Sequence, residues 1–82
     1  LRDLAHPWNE ANSEDFEKAK HSFERALSID RTDRDSNYYM GLIHLLGLGV
    51  DVNIPKSIEF FEIGKNDSRS LNAIGYIYYK AP

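Results

Sequence analysis

Two blocks of this sequence recur a few tens of residues later, and this self-similarity limits the fold more than any other feature. Residues 15–26 align without gaps on residues 53–64, at an offset of 38. Residues 36–43 align on residues 70–77, at an offset of 34. A period of this size is the signature of repeated supersecondary units that stack on one another. The unequal offsets predict that the loops between the units differ in length.

The residues shared by the repeated blocks are spaced as in α-helices. Apolar or small residues recur at intervals of three and four within each block, which places them on one face of a helix. The repeated positions of the longer alignment are Lys18, Ala19, Phe23 and Ala26, which align with Lys56, Ser57, Phe61 and Gly64. We therefore expect four helical segments of two alternating types.

Residues suited to helix ends flank these segments. Asn12 or Ser13 stands ahead of an acidic pair, and Asn53 stands just before Pro55. Side chains of these types cap the amino terminus of a helix, and proline is tolerated in its first turn. The sequence thus predicts one helix start near residue 13 and another near residue 53.

The loop between the second and third segments is predicted from its glycines. Gly47 and Gly49 stand where one helix must stop and the chain must reverse. Val50 follows them and is expected to pack back under the turn. Residues 47–51 are therefore interpreted as the loop of a helix hairpin.

Two glycines occupy equivalent positions inside helical segments. Gly41 and Gly75 are 34 residues apart, although glycine inside a helix costs about 1 kcal/mol relative to alanine. We expect close approach of a neighbouring helix to compensate, because the facing residues Ala19 and Ser57 are small. The aromatic residues expected to fill the space one turn away are Phe23 and Phe61. A Gly41→Leu substitution is then predicted to separate a helix pair.

Composition and charge exclude several classes of function. The formal net charge is −3, and acids alternate with arginines in residues 30–35. No basic surface for a phosphate backbone is visible, which argues against nucleic acid and against a helical-repeat RNA-binding protein of the pentatricopeptide type. The longest apolar stretch, residues 38–50, is shorter than the ~20 residues of a membrane span. We expect no membrane insertion in this segment.

No residue pattern points to catalysis, a cofactor or a metal. The three histidines have no metal-ligand spacing and are interpreted as structural; they are His6, His21 and His44. Residues 30–35 lack the glycine and the terminal glutamate of a calcium loop and are interpreted as a solvated loop. No serine lies in a nucleophile motif. The sequence predicts that the protein is not an enzyme.

The central part of the chain resembles the Sel-one-like repeat family, a relative of the tetratricopeptide repeat. The family pattern is roughly A-x3-L-G-x2-Y-x2-G-x-G-V-x2-D-x2-K-A-x2-Y-F-x2-A. The matching pairs and runs are Met40-Gly41, Gly47-Leu48-Gly49-Val50, Lys56-Ser57 and Phe60-Phe61. The departures are Ser36 and Ser57 for alanine, His44 for tyrosine, Asn53 for aspartate and Gly64 for alanine. Residues 26–30 also resemble the end of a tetratricopeptide helix.

The resemblance covers most of residues 15–79 and implies a fold. It implies an all-α protein, a right-handed α-α superhelix or solenoid of antiparallel helix hairpins. Residues 1–14 would be the end of a preceding unit followed by a linker, and residues 15–35 would be the second helix of a repeat followed by a loop. Residues 36–64 would form one complete repeat. Residues 65–82 would form a loop and the first helix of the next repeat. The chain starts without methionine and stops just after an aromatic run, so we expect a fragment of a longer protein.

The resemblance also implies a function. Members of this family act as adaptors or scaffolds that bind other proteins, and the best-known eukaryotic members are luminal adaptors of the ubiquitin ligase for endoplasmic-reticulum-associated degradation. A cytosolic or bacterial signalling scaffold of the same family is the alternative. Asn66 begins a formal N-glycosylation acceptor, Asn-Asp-Ser, which favours the endoplasmic reticulum lumen slightly over the cytoplasm.

Five tyrosines are the candidate partner-binding residues. They fall on the same type of helix in successive repeats, and tyrosine is a frequent anchor of protein interfaces. Successive helical residues are turned by about a third of a circle, so Tyr38 and Tyr39 cannot both face the same neighbouring helix. At least one tyrosine of each repeat is expected to line an exposed groove. The candidates are Tyr38, Tyr39, Tyr76, Tyr78 and Tyr79.

Overall fold

Four helices account for most of residues 13–80, the part of the chain that the computed structural model describes. They are α1 (Ser13–Ile29), α2 (Arg34–Leu46), α3 (Ile54–Ile63) and α4 (Ser68–Lys80). No strand occurs between residues 13 and 80. The expectation of an all-α fold is confirmed for this part of the chain. The predictions for residues 1–12, including the linker around His6 and a cap at Asn12, lie outside the described residues.

Each helix packs on its neighbours in the sequence, and α2 lies at the centre. It makes its most extensive contact with α3, also packs on α1, and touches the first part of α4. The fully buried apolar side chains are Met40 and Ile43 of α2 and Phe61 of α3. Ile74 and Ile77 of α4 are buried next to Phe61. The core therefore runs continuously from α2 through α3 to α4.

Residues 30–35 are exposed except for half-buried Asp33, in agreement with the predicted solvated segment, but α2 already begins at Arg34. Asp33 caps the helix, because its carboxylate accepts hydrogen bonds from the backbone N–H of Ser36 at 3.0 Å and from the Ser36 hydroxyl. Asn37 then closes the loop, since its side-chain amide donates to the carbonyl oxygens of Arg31 at 2.9 Å and Asp33 at 3.0 Å. The loop is therefore held by the side chains of Asp33 and Asn37, and Asp33 is an acidic residue with a structural role.

The predicted hairpin loop between α2 and α3 is confirmed. Gly47 ends α2 in the left-handed conformation, with φ of 68°, and its N–H donates to the Ile43 carbonyl. The N–H of Asn53 donates to the His44 carbonyl at 2.8 Å and closes the loop. Val50 is half-buried, and its packing under the turn stays a prediction; the side chain that comes nearest to Gly47 is that of Val52.

The predicted start of α3 is confirmed as well. The side-chain oxygen of Asn53 accepts a hydrogen bond from the N–H of Lys56 at 3.1 Å, and Pro55 lies in the first turn. Ser57, which aligns with Ala19, is fully buried, and its hydroxyl donates to the Ile54 carbonyl at 2.7 Å. A serine is tolerated there because its hydroxyl has a partner inside its own helix.

The close approach expected at Gly41 is present. A Cβ atom built on Gly41 would lie 2.6 Å from Cδ1 and 2.7 Å from Cζ of Phe61, so any side chain at this position would displace that ring. The atoms that meet Gly41 belong to the aromatic ring, while Ser57 is buried elsewhere in the same interface. The glycine therefore admits the largest side chain of the core into the α2–α3 contact.

The same expectation for Gly75 is wrong within the described structure. A Cβ atom at Gly75 would meet no atom within 4 Å, and the residue is exposed. No helix follows α4 among residues 13–80, so the face that carries Gly75 has no neighbour there. Equal positions in the repeat thus have unequal surroundings, because close packing depends on what lies opposite.

A small-residue junction joins α3 to α4. Gly64 ends α3, and a Cβ atom there would lie 2.9 Å from the Cβ of Asn37 and 3.3 Å from the hydroxyl of Ser70. Alanine, the residue at the aligned position 26, would therefore crowd Asn37. Glycine allows α2, α3 and the start of α4 to meet at one point.

Candidate protein-binding surface

The most exposed aromatic surface of the described chain lies on α4. The side of this helix that faces away from α3 is called here the α4 outer face. It carries Leu71, Asn72, Gly75, Tyr76, Tyr78 and Tyr79, all of them exposed. The exposed fraction is 56% for Tyr76, 61% for Tyr78 and 83% for Tyr79. These three candidate tyrosines are all exposed, and Tyr79 lies between Tyr76 and Tyr78, which stand at opposite edges of the α4 outer face.

The helical period explains why these residues share a face. Ser70, Ile74 and Ile77 are spaced by four and three residues and are all buried against the rest of the protein. The remaining arc of the helix turns outward and carries the α4 outer face. Lys80 contributes a charge at its end, with its ammonium nitrogen 6.0 Å from the centre of the Tyr76 ring.

The other two candidate tyrosines do not belong to this surface. Tyr39 stacks on Phe23 of α1 with ring centres 5.3 Å apart, whereas Tyr38 lies 6.1 Å from Phe61 of α3. Both are half-buried. Their rings pack on different helices, although Arg69 of α4 lies over both, 4.5 Å from the centre of the Tyr38 ring and 5.7 Å from that of Tyr39.

An ion cluster fixes the start of α4 to α2. The Arg69 guanidinium donates to Asp67 at 2.6 Å and to Asp35 at 2.5 Å, and lies 4.5 Å from the centre of the Tyr38 ring. Asp67 also accepts from the backbone N–H of Arg69 at 2.9 Å. Hydrogen bonds from Arg69 lower the pKa of Asp67 to about 2, so this carboxylate stays charged at neutral pH. The cluster holds the orientation of α4, and with it the outer face.

The aligned positions of α1 and α3 share some features, although the α3 residues Ser57, Phe61 and Gly64 are buried where their α1 counterparts are half-buried. Lys18 and Lys56 are both exposed, and Phe23 and Phe61 both pack against a tyrosine of α2. Phe60 is half-buried and lies parallel to the His44 ring. The remaining positions are Ala19, Ala26 and Val50, which are half-buried, and Gly49, which is exposed in the hairpin loop with φ of 74°.

Asn66 lies in the turn between α3 and α4 and is exposed. Its neighbour Asp67 is buried and bonded to Arg69. The asparagine side chain is thus accessible, while the residue after it fixes the turn. Glycosylation of Asn66 stays a prediction.

Two capping aspartates were missed by sequence reasoning. Asp33 precedes α2, and Asp67, exactly one repeat of 34 residues later, precedes α4. Each is followed three residues on by a buried serine, Ser36 or Ser70. The sequence did contain a signal for these caps, namely an aspartate three residues before a serine that recurs in both segments. Aspartate and serine are both favoured at the start of a helix. Arg69 gave no comparable signal, because its partner Asp35 is distant in sequence.

In comparisons with known proteins, no family model, no curated protein and no solved structure matches the chain. None of the helices between residues 13 and 80 has the length and apolar character needed to cross a bilayer. In the same residues no group of three or more histidine, aspartate or glutamate side chains could hold a metal ion.

Proposed function

We propose that this chain is part of a protein-binding scaffold, a right-handed solenoid of Sel-one-like helix hairpins, and that it binds a partner protein through the α4 outer face. The observation that carries the proposal is the cluster of exposed tyrosines on that face. Tyrosine combines a large apolar ring with a polar hydroxyl group. It therefore suits a surface that is exposed to solvent in the free protein and buried when a partner protein binds. Leu71, 55% exposed, extends the apolar area.

The comparison of α4 with α2 supports a helix as the bound element. The residues of α2 that correspond to Leu71, Gly75 and Tyr78 are covered by α3, which places its aromatic ring at Gly41. The α4 outer face has a glycine at the same position. A partner helix with a small residue and an aromatic residue one turn apart, like Ser57 and Phe61 in α3, would fit there.

A photo-crosslinking amino acid at position 79 of the full-length protein, expressed in its own cells, tests the proposal. We expect crosslinks to a specific partner protein that are lost when Tyr76 and Tyr78 are both changed to serine. The matched control carries the crosslinker at Glu59, which is exposed on α3. The same crosslinked proteins from both positions, or crosslinks that persist in the serine variant, would contradict binding through the α4 outer face.

The formal glycosylation sequence slightly favours a luminal compartment for the scaffold. We propose a luminal adaptor in endoplasmic-reticulum-associated degradation as its specific role, which the acceptor sequence at Asn66 supports. The full-length protein is then expected to lose apparent mass on glycosidase treatment, and the Asn66→Gln variant is not. A protein without this shift whose crosslinked partners are signalling proteins would favour the cytosolic alternative, and salt-sensitive retention on oligonucleotides would favour an RNA binder.

A further inference from the structure

His44 is enclosed among three helices without a hydrogen-bond partner for its ring. The residue is only 6% exposed, and neither ring nitrogen has a partner in the part of the chain that the structure describes. Phe60 of α3 lies parallel to the ring, with centres 5.7 Å apart. A neutral imidazole already gives up its hydrogen bonds to water in such a place. A protonated ring would bury a charge and two N–H donors, which costs more free energy.

The charged groups packed around His44 do not compensate a proton on its ring. They are Lys20 and Glu24 of α1 and Lys56 of α3. Glu24 favours the protonated form, but its carboxylate is already bonded to Lys20 at 2.8 Å. The last turn of α2, which contains His44, also favours a positive charge. Burial and the two lysines outweigh these effects, so the pKa of His44 lies below its ordinary value of 6.5.

The packing around His44 therefore depends on pH. An imidazole released to solvent has an ordinary pKa and takes up a proton as the pH falls below about 6.5. The packed ring takes up its proton only at lower pH, so a state in which His44 is exposed gains population as the pH falls. The contacts around His44 provide their full stability above about pH 6.5 and lose part of it towards pH 5.5.

Helix α1 is the element that can most easily move away from His44. Among the four helices, α1 packs on α2 alone, whereas α3 packs on both α2 and α4. The only apolar residue of α1 that is classed with the core is Phe16, at 9% exposure. A cavity of about 430 Å³ is lined by residues of α1, α2 and α3, among them His44, so the packing at this point is already incomplete.

We propose that His44 is a pH switch, which leaves α1 packed on α2 at neutral pH and releases α1 when the ring is protonated. The switch goes beyond the proposed function, because it acts on the contact between α1 and α2 and requires no partner protein. The α4 outer face contains none of its residues. Binding through that face can therefore fail without affecting the switch.

Hydrogen exchange of the full-length protein at pH 7.5 and 5.5, measured by mass spectrometry on peptides from α1 and α4, tests this proposal. After correction for the intrinsic pH dependence of exchange, we expect the amides of α1 to lose protection by up to about tenfold at pH 5.5. This limit is the ratio of protonated to neutral imidazole at an ordinary pKa. Helix α4 makes no contact with α1 among residues 13–80 and should keep its protection.

Matched variants distinguish His44 from other groups. His44→Phe should abolish the loss of α1 protection, because the new ring takes up no proton. A variant in which both other histidines of the chain, His6 and His21, are changed to glutamine should retain it. Lys56→Gln should reduce the loss, since it removes a positive charge near the ring, whereas Lys18→Gln, at the aligned exposed position of α1, should leave it unchanged.

Three results would overturn the proposal: no loss of α1 protection at pH 5.5, an equal loss in α1 and α4, or a loss that persists in His44→Phe. If the phenylalanine variant does not fold, the two lysine variants decide, and equal effects of the two would overturn the switch.

Discussion

Helices α2 and α4 are two copies of one element in different surroundings. Both have 13 residues, and their boundaries differ by the same 34 residues as their sequences. The residues on their shared inner side are buried in both helices: Ser36, Met40 and Ile43 in α2, and Ser70, Ile74 and Ile77 in α4. Their other sides differ completely, since Asn37, Gly41 and His44 are buried and the corresponding Leu71, Gly75 and Tyr78 are exposed.

The difference shows that burial on the inner side of each helix follows from the shared sequence pattern. Burial on the other side depends on whether a neighbouring helix covers it. The helix α3 covers Gly41, and nothing in the described structure covers Gly75. The chemistry of the two sides follows the same division. Asn37 and His44 are polar and enclosed, whereas Leu71 and Tyr78 are apolar and open, which is the reverse of the usual preference. An apolar open face of this kind is what the proposed binding function requires.

The largest expected effect comes from filling the glycine of α2. Gly41→Leu should lower the free energy of unfolding by about 3 kcal/mol, because the new side chain displaces the buried Phe61 ring. Gly75→Leu is the matched control and should not destabilise the chain, since the position is open and leucine is a better helix former than glycine. Urea unfolding of both variants measures the difference. Similar losses of unfolding free energy in the two variants would show that packing of α3 does not make position 41 different from position 75.

A smaller effect is expected from the contact that joins the two helices directly. Arg69→Gln removes the ion pairs with Asp35 and Asp67 and should cost about 1 kcal/mol, since the guanidinium is partly exposed to solvent. The control is Lys65→Gln, whose pairing with Glu62 at 3.8 Å is exposed, and it should change stability by less than about 0.5 kcal/mol. Equal losses of stability in the two variants, measured by thermal unfolding, would contradict the role of Arg69 in joining α2 to α4.

Acid should distinguish the two capping aspartates. Asp67 has a pKa of about 2 in the folded protein, below its ordinary value of 3.8. The unfolded chain therefore takes up a proton first as the pH falls, and the stability that this carboxylate provides above about pH 4 is lost towards about pH 2. Asp67→Asn should flatten the fall of the melting temperature over this interval more than Asp33→Asn, whose pKa is also lowered by the bonds from Ser36. A steeper fall in Asp67→Asn would contradict the assignment.

The smallest effect on stability is expected at the surface that we propose for binding. Tyr79→Ser should change the free energy of unfolding by less than about 0.5 kcal/mol, because the ring is 83% exposed. Tyr39→Ser should cost more, since that ring stacks on Phe23. Chemical unfolding of the pair tests whether the tyrosines divide between packing and surface. A large loss in Tyr79→Ser would show that this ring supports the fold.

The features that sequence reasoning predicted well depend on local chemistry. The helical period, the cap at Asn53 and the turn at Gly47 are each set by residues within one or two helical turns. The contacts of Arg69 could not be predicted in this way, because they depend on how α2 and α4 are placed in three dimensions. The error at Gly75 has the same origin, since the repeated sequence specifies the glycine and says nothing about the element opposite it. The unpartnered nitrogens of His44 likewise depend on three helices at once.

The hydrogen bond between Asp35 and Arg69 means that the segments containing α2 and α4 cannot replace each other without loss of this contact. The two residues are equivalents in successive copies, yet they carry opposite charges and touch each other. A duplicate of the first copy in place of the second would bring two aspartates together at this seam and replace attraction by repulsion. The two aligned segments are therefore not interchangeable, and an engineered exchange of one for the other has to preserve the opposite charges at positions 35 and 69.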